Sequence, residues 1–264
     1  MGDTTAVDPA IAEMPRGGPN ASWLDRLLQT DALEYTDRYD VPDAVKQKVI
    51  SALDWMGTRT GMHEKNARVA CALVADIPKP RILELGAGHG KLSAKILELH
   101  PTATVTISDL DPTSVGNIAA GELGVHRRVR TQVVDATAID ADDDSYDLVV
   151  FAQAFHHLPP AIAYRAIAEA TRVGKRFLVI DLKRRSPLAL LAAPLAMAPL
   201  AVVPRLKPVM HDGFISGLRA YSPSAFAALG KAVDPQMRVE FLPSAASWFG
   251  PTSNVVVFSR ASQS

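Results

Sequence analysis

Apolar positions along the chain predict a series of short strands. The run 81–85 is apolar around Glu84, and glycines follow it at 86, 88 and 90, which predicts a strand that turns sharply into a helix over about 91–99. Two further apolar runs, within 104–111 and 130–136, also end in an acid and predict a second and a third strand. Near the C-terminus, 237–242 and 254–259 alternate well enough to predict two more strands.

Helical periodicity precedes the first strand. Ser22 begins a pattern of apolar residues at helical spacing, a second helix begins at Pro42, and a third covers about 64–76. Residues 1–20 contain Gly, Pro and small residues without periodicity, which predicts a mobile tail. The predicted organisation is therefore a tail over 1–20, a helical cap over 21–78 and a core over 79–264.

The glycine loop narrows the class of ligand. Its G-x-G-x-G pattern lacks the third glycine of a dinucleotide loop, because Lys91 follows Gly90. It also lacks the spacing of a P-loop and the Ser or Thr that follows the P-loop lysine. Glu84, at the end of the strand, would repel a pyrophosphate but would attract the ammonium group of a nucleoside that carries an amino acid. The loop therefore favours S-adenosylmethionine.

With these motifs the chain resembles the class I S-adenosylmethionine-dependent methyltransferases, whose first motif is an apolar strand, an acid and G-x-G-x-G. The resemblance covers about residues 80–182 and includes a fourth strand with its active-site edge over 145–158 and a helix, turn and fifth strand over 169–181. It implies an α/β fold with a Rossmann-like, mostly parallel sheet of seven strands and helices on both faces. It also implies that the N-terminal helices cap the substrate side of the cleft. The alternative is that they only cover the edge of the sheet.

The resemblance also implies a pose for the cofactor. Asp109 would accept the ribose hydroxyls, Leu110 would lie against the adenine, and Asp135 would accept a hydrogen bond from the adenine amino group. Taken singly, such acids at strand ends are equally well explained as caps or turn residues. The predicted cofactor-binding residues are Glu84, Gly86, Ala87, Gly88, Gly90, Asp109, Leu110, Asp135, Ala136 and Ala152.

Two histidines are the candidates for acid-base chemistry. Methyl transfer is an in-line displacement in which the protein mainly aligns the nucleophile, the methyl group and the sulfur. His156 and His157 follow the predicted fourth strand, and one of them, preferably His156, would be the general base for a hydroxyl acceptor; the alternative is a packing role. The fourth strand is not followed by an Asp/Asn-Pro-Pro-Tyr tetrapeptide, which argues against acceptor nitrogens on DNA bases or glutamine. No metal is expected.

The most apolar stretch is 187–204. A membrane-spanning helix needs about 20 apolar residues, and Pro194 and Pro199 interrupt this stretch. We therefore expect an apolar lid or pocket wall within an insertion over 187–221 that follows the fifth strand, and a substrate with an apolar body. Shallow membrane association or a dimer contact is the alternative, since basic residues flank the stretch.

A polar segment follows the apolar stretch and precedes a helix that begins at Ser222 and Pro223. In small-molecule methyltransferases of the resembled class, this position lines the substrate pocket. His211, Arg219 and Tyr221 are therefore candidate substrate contacts. The alternative is an ordered turn pinned by His211 and Asp212.

Composition adds little to this picture. Basic and acidic residues number 28 each, so no basic excess indicates a nucleic-acid partner. A single cysteine, Cys71, and no secretory signal at the N-terminus suggest a reducing cytoplasm, and a monomer or homodimer is expected. The predicted function is S-adenosylmethionine-dependent methylation of a small, largely apolar metabolite, preferably on oxygen. Methylation on nitrogen or carbon, and a non-catalytic S-adenosylmethionine-binding regulatory or membrane-associated protein, remain alternatives.

Overall fold

A computed structural model describes residues 7–38, 40–197, 207–244 and 253–261. A sheet of seven strands lies at the centre of this part of the chain, in the order β3-β2-β1-β4-β5-β7-β6. Strand β7 runs antiparallel to β5 and β6, and the other neighbours are parallel. The expected mostly parallel sheet with one antiparallel member is thus confirmed. The strands are β1 (Arg81–Leu85), β2 (Thr104–Asp109), β3 (Val129–Val133), β4 (Leu148–Ala152), β5 (Phe177–Leu182), β6 (Arg238–Phe241) and β7 (Ser253–Ser259).

Helices pack on both faces of the sheet, as expected. Three of them precede β1 close to their predicted places, and α5 covers the predicted range. Short 3-10 turns over Tyr35–Asp37 and Phe155–His157 complete the described elements. The helices are α1 (Pro9–Ala12), α2 (Trp23–Leu27), α3 (Asp43–Arg59), α4 (Met62–Ala72), α5 (Lys91–Leu99), α6 (Pro112–Ala120), α7 (Pro160–Val173), α8 (Pro187–Met197), α9 (Lys207–Arg219) and α10 (Pro223–Val233).

Alternate residues of the central strands enter two separate cores. In β1, Leu83 and Leu85 pack with α7 and α10, whereas Ile82 packs on the opposite face with α4, α5 and α6. This follows from the two-residue repeat of a strand, and a sheet covered on both faces needs apolar residues at nearly every position. Glu84 is the exception within β1, because it is acidic and still only 3% exposed.

The strand order places a crevice at one edge of the sheet. The chain leaves β1 in one direction to β2 and returns on the other side to β4, so the loops after β1 and β4 diverge. Crevices of this kind, at the carboxyl ends of parallel strands, are where open α/β sheets bind their ligands. The glycine loop and the two candidate histidines therefore lie at the same edge.

The expected mobile tail is wrong for residues 7–20. Asp8 caps α1 by accepting a hydrogen bond from the Ala10 N–H, and the Met14 side chain is part of the core on the α7 face. The Arg16 guanidinium is buried and donates to the backbone carbonyls of His156 and Arg219. The contacts that hold this segment are distant in sequence, and a search for local periodicity does not detect them.

The polar part of the segment after β5 is more helical than expected. Residues 207–219 form α9, so the alternative of an ordered turn around His211 and Asp212 is wrong. Helix α8 contains Pro194 and covers the first part of the apolar stretch; the rest, 198–206, lies outside the described residues. In the part of the chain that the structure describes, no helix combines the length and apolar character needed to cross a bilayer.

Candidate active site

A cleft of about 2160 Å³ lies at the carboxyl edge of the sheet. Ligand pockets for small molecules commonly hold roughly 300–1,000 Å³, so the cleft has room for two molecules. The glycine loop and the ends of β2 and β4 line one part of it. Helix α3, the turn Tyr35–Asp37 and the pair His156 and His157 also line it, together with residues of α8 and α9.

The glycine loop exposes backbone to the cleft. Gly86, Gly88 and Gly90 have φ angles of 61°, 56° and 70°, which lie in the left-handed region that favours glycine. At Gly88 a Cβ atom would meet only Ile50, at 3.5 Å, so the space above this residue is open to a ligand. Gly90 faces the protein interior instead. It is the N-cap of α5, and a Cβ atom there would meet Leu123 at 3.0 Å. Of the ten predicted cofactor-binding residues, nine line the cleft and Gly90 lies behind it.

Glu84 places a buried carboxyl group beneath the loop. Burial raises its pKa to about 7, although hydrogen bonds from Ser93 act in the opposite direction. The Ser93 backbone N–H donates to Oε2 at 3.1 Å, and the Ser93 hydroxyl donates to the same oxygen. Sequence reasoning missed Ser93, whose only signal is its place in the first turn of α5.

The two predicted adenosine contacts differ in their surroundings. Burial raises the pKa of Asp109, whose two oxygens accept hydrogen bonds from the backbone N–H groups of Gly88 at 2.8 Å and Asp111 at 3.0 Å. Leu110 beside it is 65% exposed, an uncommon state for leucine that suits a flat apolar ligand. Asp135 is exposed at the rim, and its Oδ1 atom accepts hydrogen bonds from the N–H and hydroxyl of Thr137 at 2.8 Å.

His156 is buried between two carboxylates. Its Nδ1 atom lies 2.8 Å from Asp181 Oδ1, its backbone N–H donates to Asp181 Oδ2 at 2.6 Å, and its Nε2 atom lies 3.4 Å from Glu34 Oε1. Burial alone lowers the pKa of His156, but the charges of Asp181 and Glu34 outweigh it and raise the pKa to about 9. In the protein without ligands, His156 is therefore in its positively charged imidazolium form at neutral pH, and this form cannot act as a general base.

His157 faces a similar pair of acids and is more open to the cleft. Its Nδ1 atom lies 2.7 Å from Asp37 Oδ1, and its Nε2 atom lies 3.6 Å from Glu34 Oε2. Arg219 joins the group by donating to Asp37 Oδ2 at 2.5 Å and to the His157 carbonyl. Burial raises the pKa of Asp37, but its bonds with His157 and Arg219 outweigh this and lower it to about 2. We call Glu34, Asp37, His156, His157, Asp181 and Arg219 the acceptor cluster.

Helix α9 supplies one buried polar face to this region. Asp212, Ser216 and Arg219 are spaced at i, i+4 and i+7, which puts them on the same side of the helix, and all three are buried. The Ser216 hydroxyl donates to Glu34 Oε1 at 2.9 Å. Sequence reasoning identified Arg219 but missed Glu34, Asp37 and Asp181 as site residues. The helical spacing of polar groups was the signal available for α9.

Two of the three predicted substrate contacts lie away from the cleft lining. His211 pairs with Asp212 at 2.9 Å and packs its ring edge-on against Tyr35. Tyr221 is 1% exposed, and its hydroxyl donates to the Leu158 carbonyl at 2.7 Å beneath the Arg16 guanidinium. The predicted substrate role of Tyr221 is thus replaced by a packing role. Arg219 does line the cleft, as expected.

Several solved structures of similar fold are methyltransferases by name. The plantazolicin methyltransferase BpumL in complex with SAH has a TM-score of 0.62 at 12% identity, and the alignment covers 94% of this chain and 95% of that one. The mitomycin 7-O-methyltransferase MmcR has a TM-score of 0.54 at 21% identity, with 78% of this chain and 55% of that one covered. The chain thus has the fold of these methyltransferases.

Sequence comparison adds the family. Residues 82–176 match the family described as methyltransferase domain. The chain therefore carries a methyltransferase domain of the class I S-adenosylmethionine-dependent type, and S-adenosylmethionine is its cofactor. The open space above Gly88, the buried Glu84 and the exposed Leu110 fit such a ligand.

Curated relatives match over part of the chain. A malonyl-[acyl-carrier protein] O-methyltransferase from Geobacter sulfurreducens is 35% identical over 107 residues, which are 40% of this chain and 39% of that protein. A ribosomal RNA small subunit methyltransferase B from Xylella fastidiosa is 28% identical over 141 residues, which are 51% of this chain and 32% of that protein. The chain thus spans about a third of the length of these relatives.

Proposed function

We propose that this protein transfers the methyl group of S-adenosylmethionine to an oxygen atom of a small, largely apolar molecule. The observation that carries the proposal is that one cleft is lined both by the glycine loop and by Glu34, His156 and His157 of the acceptor cluster. We call the part at the loop the cofactor end and the part at the cluster the acceptor end. A cofactor seated at the loop would present its methyl group toward the cluster.

The cofactor end would hold each part of the ligand by a separate residue. Glu84, ionised, would attract the ammonium group, and the backbone at Gly88 would allow close approach. Asp109 would accept the ribose hydroxyls with lone pairs that its two backbone N–H partners leave free. Leu110 would cover one face of the adenine, and Asp135 would lie near its amino group.

The acceptor end favours a hydroxyl over a carboxylate. Several carboxylates surround His156 and His157, and a negatively charged acceptor would be repelled there. An acceptor hydroxyl would lie against His157, the more open of the two histidines, and its proton would pass to the imidazole of His157. The acceptor oxygen then forms a bond to the methyl carbon, and the carbon–sulfur bond breaks with its electron pair on sulfur. The protein contributes mainly alignment, which can supply several kcal/mol.

The apolar body of the acceptor would lie along α8. Ala189, Leu190, Ala192 and Ala193 line the cleft, and Leu190 is buried, whereas Leu188 on the outer side is 74% exposed. Two similar proteins bear the name of an O-methyltransferase, one acting on malonyl-[acyl-carrier protein] and one on mitomycin at the 7-O position. These names support transfer to oxygen.

The proposal is tested in two stages. Isothermal titration with S-adenosylmethionine and its demethylated product measures cofactor binding, with Gly88→Val as the blank. Methyl-labelled cofactor is then incubated with fractionated cell extract, and label in an organic-soluble product is followed by mass spectrometry to find the methylated atom. We expect a labelled methyl ether. Cofactor binding without turnover in any fraction would instead indicate a non-catalytic binding protein.

A further inference from the structure

Glu34, His156 and His157 converge at the acceptor end of the cleft from two distant parts of the chain. We propose that these three side chains bind a divalent transition-metal cation of the zinc type. The sequence predicts no metal here, because Glu34 belongs to a segment without any motif and the two histidines are adjacent. The fold alone brings the three groups together, and their ligand atoms all lie within 4.8 Å of one another.

Two of the distances between the groups are close to the edge of a coordination tetrahedron. His156 Nε2 lies 3.4 Å from Glu34 Oε1, and His157 Nε2 lies 3.6 Å from Glu34 Oε2. Around a zinc ion with bonds of about 2.1 Å, tetrahedral ligand atoms are roughly 3.4 Å apart. An N–H···O hydrogen bond is shorter, at roughly 2.7–3.2 Å. Each histidine nitrogen is thus farther from Glu34 than in a normal hydrogen bond, at a distance that suits two ligands of one cation.

His156 also presents an unpartnered buried nitrogen to this centre. The residue is 4% exposed, and its Nε2 atom has no hydrogen-bond partner although it faces Glu34. Buried imidazole nitrogens are normally paired, because an unpaired polar atom in the interior is costly. Coordination of a cation would use this nitrogen.

Carboxylates orient both rings for metal binding. Asp181 lies 2.8 Å from Nδ1 of His156, and Asp37 lies 2.7 Å from Nδ1 of His157. A carboxylate at Nδ1 fixes the proton on that nitrogen, so Nε2 can bind a metal when it gives up its own proton, an arrangement typical of histidine ligands. The Ser216 hydroxyl holds Glu34 in the same way by donating to Oε1 at 2.9 Å.

The net charge of the side chains around the three ligands suits a divalent cation. Arg219 Nη1 lies 4.0 Å from Glu34 Oε1 but pairs with Asp37, and Arg16 donates to backbone carbonyls. With neutral imidazoles, four carboxylates against two guanidinium groups leave two negative charges, which one divalent cation balances. The carboxylates are Glu34, Asp37, Asp181 and Asp212, and the guanidinium groups are those of Arg16 and Arg219.

A cation at this site would also define the kind of acceptor that binds at this end of the cleft. Three protein ligands leave a fourth tetrahedral position, and the cluster faces the cleft, so an oxygen of the acceptor can occupy it. A bound cation lowers the pKa of a coordinated hydroxyl and would replace a histidine as the means of ionising it. This last point rests on the proposed methyl transfer, whereas the cation site itself does not.

The test is direct metal binding to the full chain. Protein stripped with a chelator is titrated with Zn²⁺ by calorimetry, and Co²⁺ is added separately to record its visible absorption in a four-coordinate site. We expect one equivalent of Zn²⁺ to bind. Affinity should fall at least about 100-fold in Glu34→Gln and His157→Ala, and about 10-fold to 100-fold in Asp181→Asn, whose side chain acts through His156. His211→Ala, which removes another carboxylate-paired histidine, is the matched control and should bind Zn²⁺ normally.

Binding of the demethylated cofactor is measured on every variant. If Glu34→Gln does not fold, His157→Gln takes its place. Failure of stoichiometric Zn²⁺ binding by the wild-type protein, or equal affinity in the ligand variants and the control, would overturn the cation site. Neither result bears on the proposed methyl transfer. That proposal is contradicted only if the cofactor does not bind or if no acceptor is methylated.

Discussion

The Asp109 carboxylate accepts a hydrogen bond from the Gly88 N–H at 2.8 Å, so the expected ribose acceptor also holds the glycine loop in place. Asp109→Ala removes both functions, and we expect cofactor affinity to fall at least about 100-fold, or about 3 kcal/mol. Asp109→Asn keeps an oxygen for Gly88 and should give an intermediate loss. Calorimetric titration with S-adenosylmethionine measures both variants. Unchanged affinity in a folded Asp109→Ala protein would remove Asp109 from the cofactor site.

Gly88→Val should abolish cofactor binding without unfolding the protein. The φ angle of Gly88 is 56°, so a branched side chain is strained there by about 1–3 kcal/mol, and it would also fill the open approach surface. Gly61 is the matched control, because its φ angle is 66° and a Cβ atom there meets nothing within 4 Å. Gly61→Val should show the same drop in stability by thermal unfolding but normal cofactor affinity. Equal binding by the two variants would show that the loop does not touch the ligand.

The pKa of Glu84 makes the stability of the unliganded protein depend on pH. Burial raises this pKa from 4.5 to about 7 in the folded state, so the stabilising effect is complete below pH 4.5 and is lost as the pH rises through 7. The ionised carboxylate then costs about 3 kcal/mol. Glu84→Gln should therefore raise the melting temperature relative to wild type at pH 8 but not at pH 4.5. The same difference in melting temperature between the variant and the wild type at pH 4.5 and pH 8 would contradict this.

The same group should make cofactor affinity depend on pH in the opposite sense. Only ionised Glu84 attracts an ammonium group, so wild-type affinity should rise about tenfold between pH 6 and pH 8, following the fraction ionised. In Glu84→Gln the affinity should be weak and nearly constant. Calorimetry across this range distinguishes the two curves, and a wild-type profile as flat as that of the variant would place the ammonium group elsewhere.

Substitution of Arg16 tests whether the N-terminal segment contributes to the stability of the folded protein. Its buried guanidinium satisfies the carbonyls of His156 and Arg219, so Arg16→Met leaves both without a partner and should destabilise the protein by about 2–5 kcal/mol. Arg26 also donates to two carbonyls, those of Ala21 and Pro19, but it is exposed. Arg26→Met should change stability by less than about 0.5 kcal/mol in urea unfolding. A loss of the same size in both variants would mean that burial of Arg16 contributes nothing.

The cofactor end could be predicted from sequence because its signals are local. The strand, the glycines and Glu84 follow one another within 81–90, and the distance to Asp109 follows from one helix and one strand. The acceptor cluster could be predicted only in part. His156 and His157 lie at a strand end, but Glu34 and Asp37 reach them through contacts between distant segments, which no short pattern records.

Polar residues also misled the interpretation of one helix. Asp212, Ser216 and Arg219 are buried on one face of α9, where composition alone indicates an exposed turn. Their helical spacing would have predicted both the helix and its polar face. The opposite error concerns Tyr221. Its place in a polar segment predicts contact with a substrate, but its ring is buried and packs under the Arg16 guanidinium.

The two ends of the cleft also differ in when they can form during synthesis of the chain. The predicted cofactor contacts all lie within residues 84–152, whereas Arg16 must wait for the carbonyl of Arg219, 203 residues later. The Tyr221 carbonyl in turn accepts a hydrogen bond from Asn254 in the last strand. Closing such long loops is slow, and domains whose contacts are distant fold late. The acceptor end is therefore the later of the two to assemble.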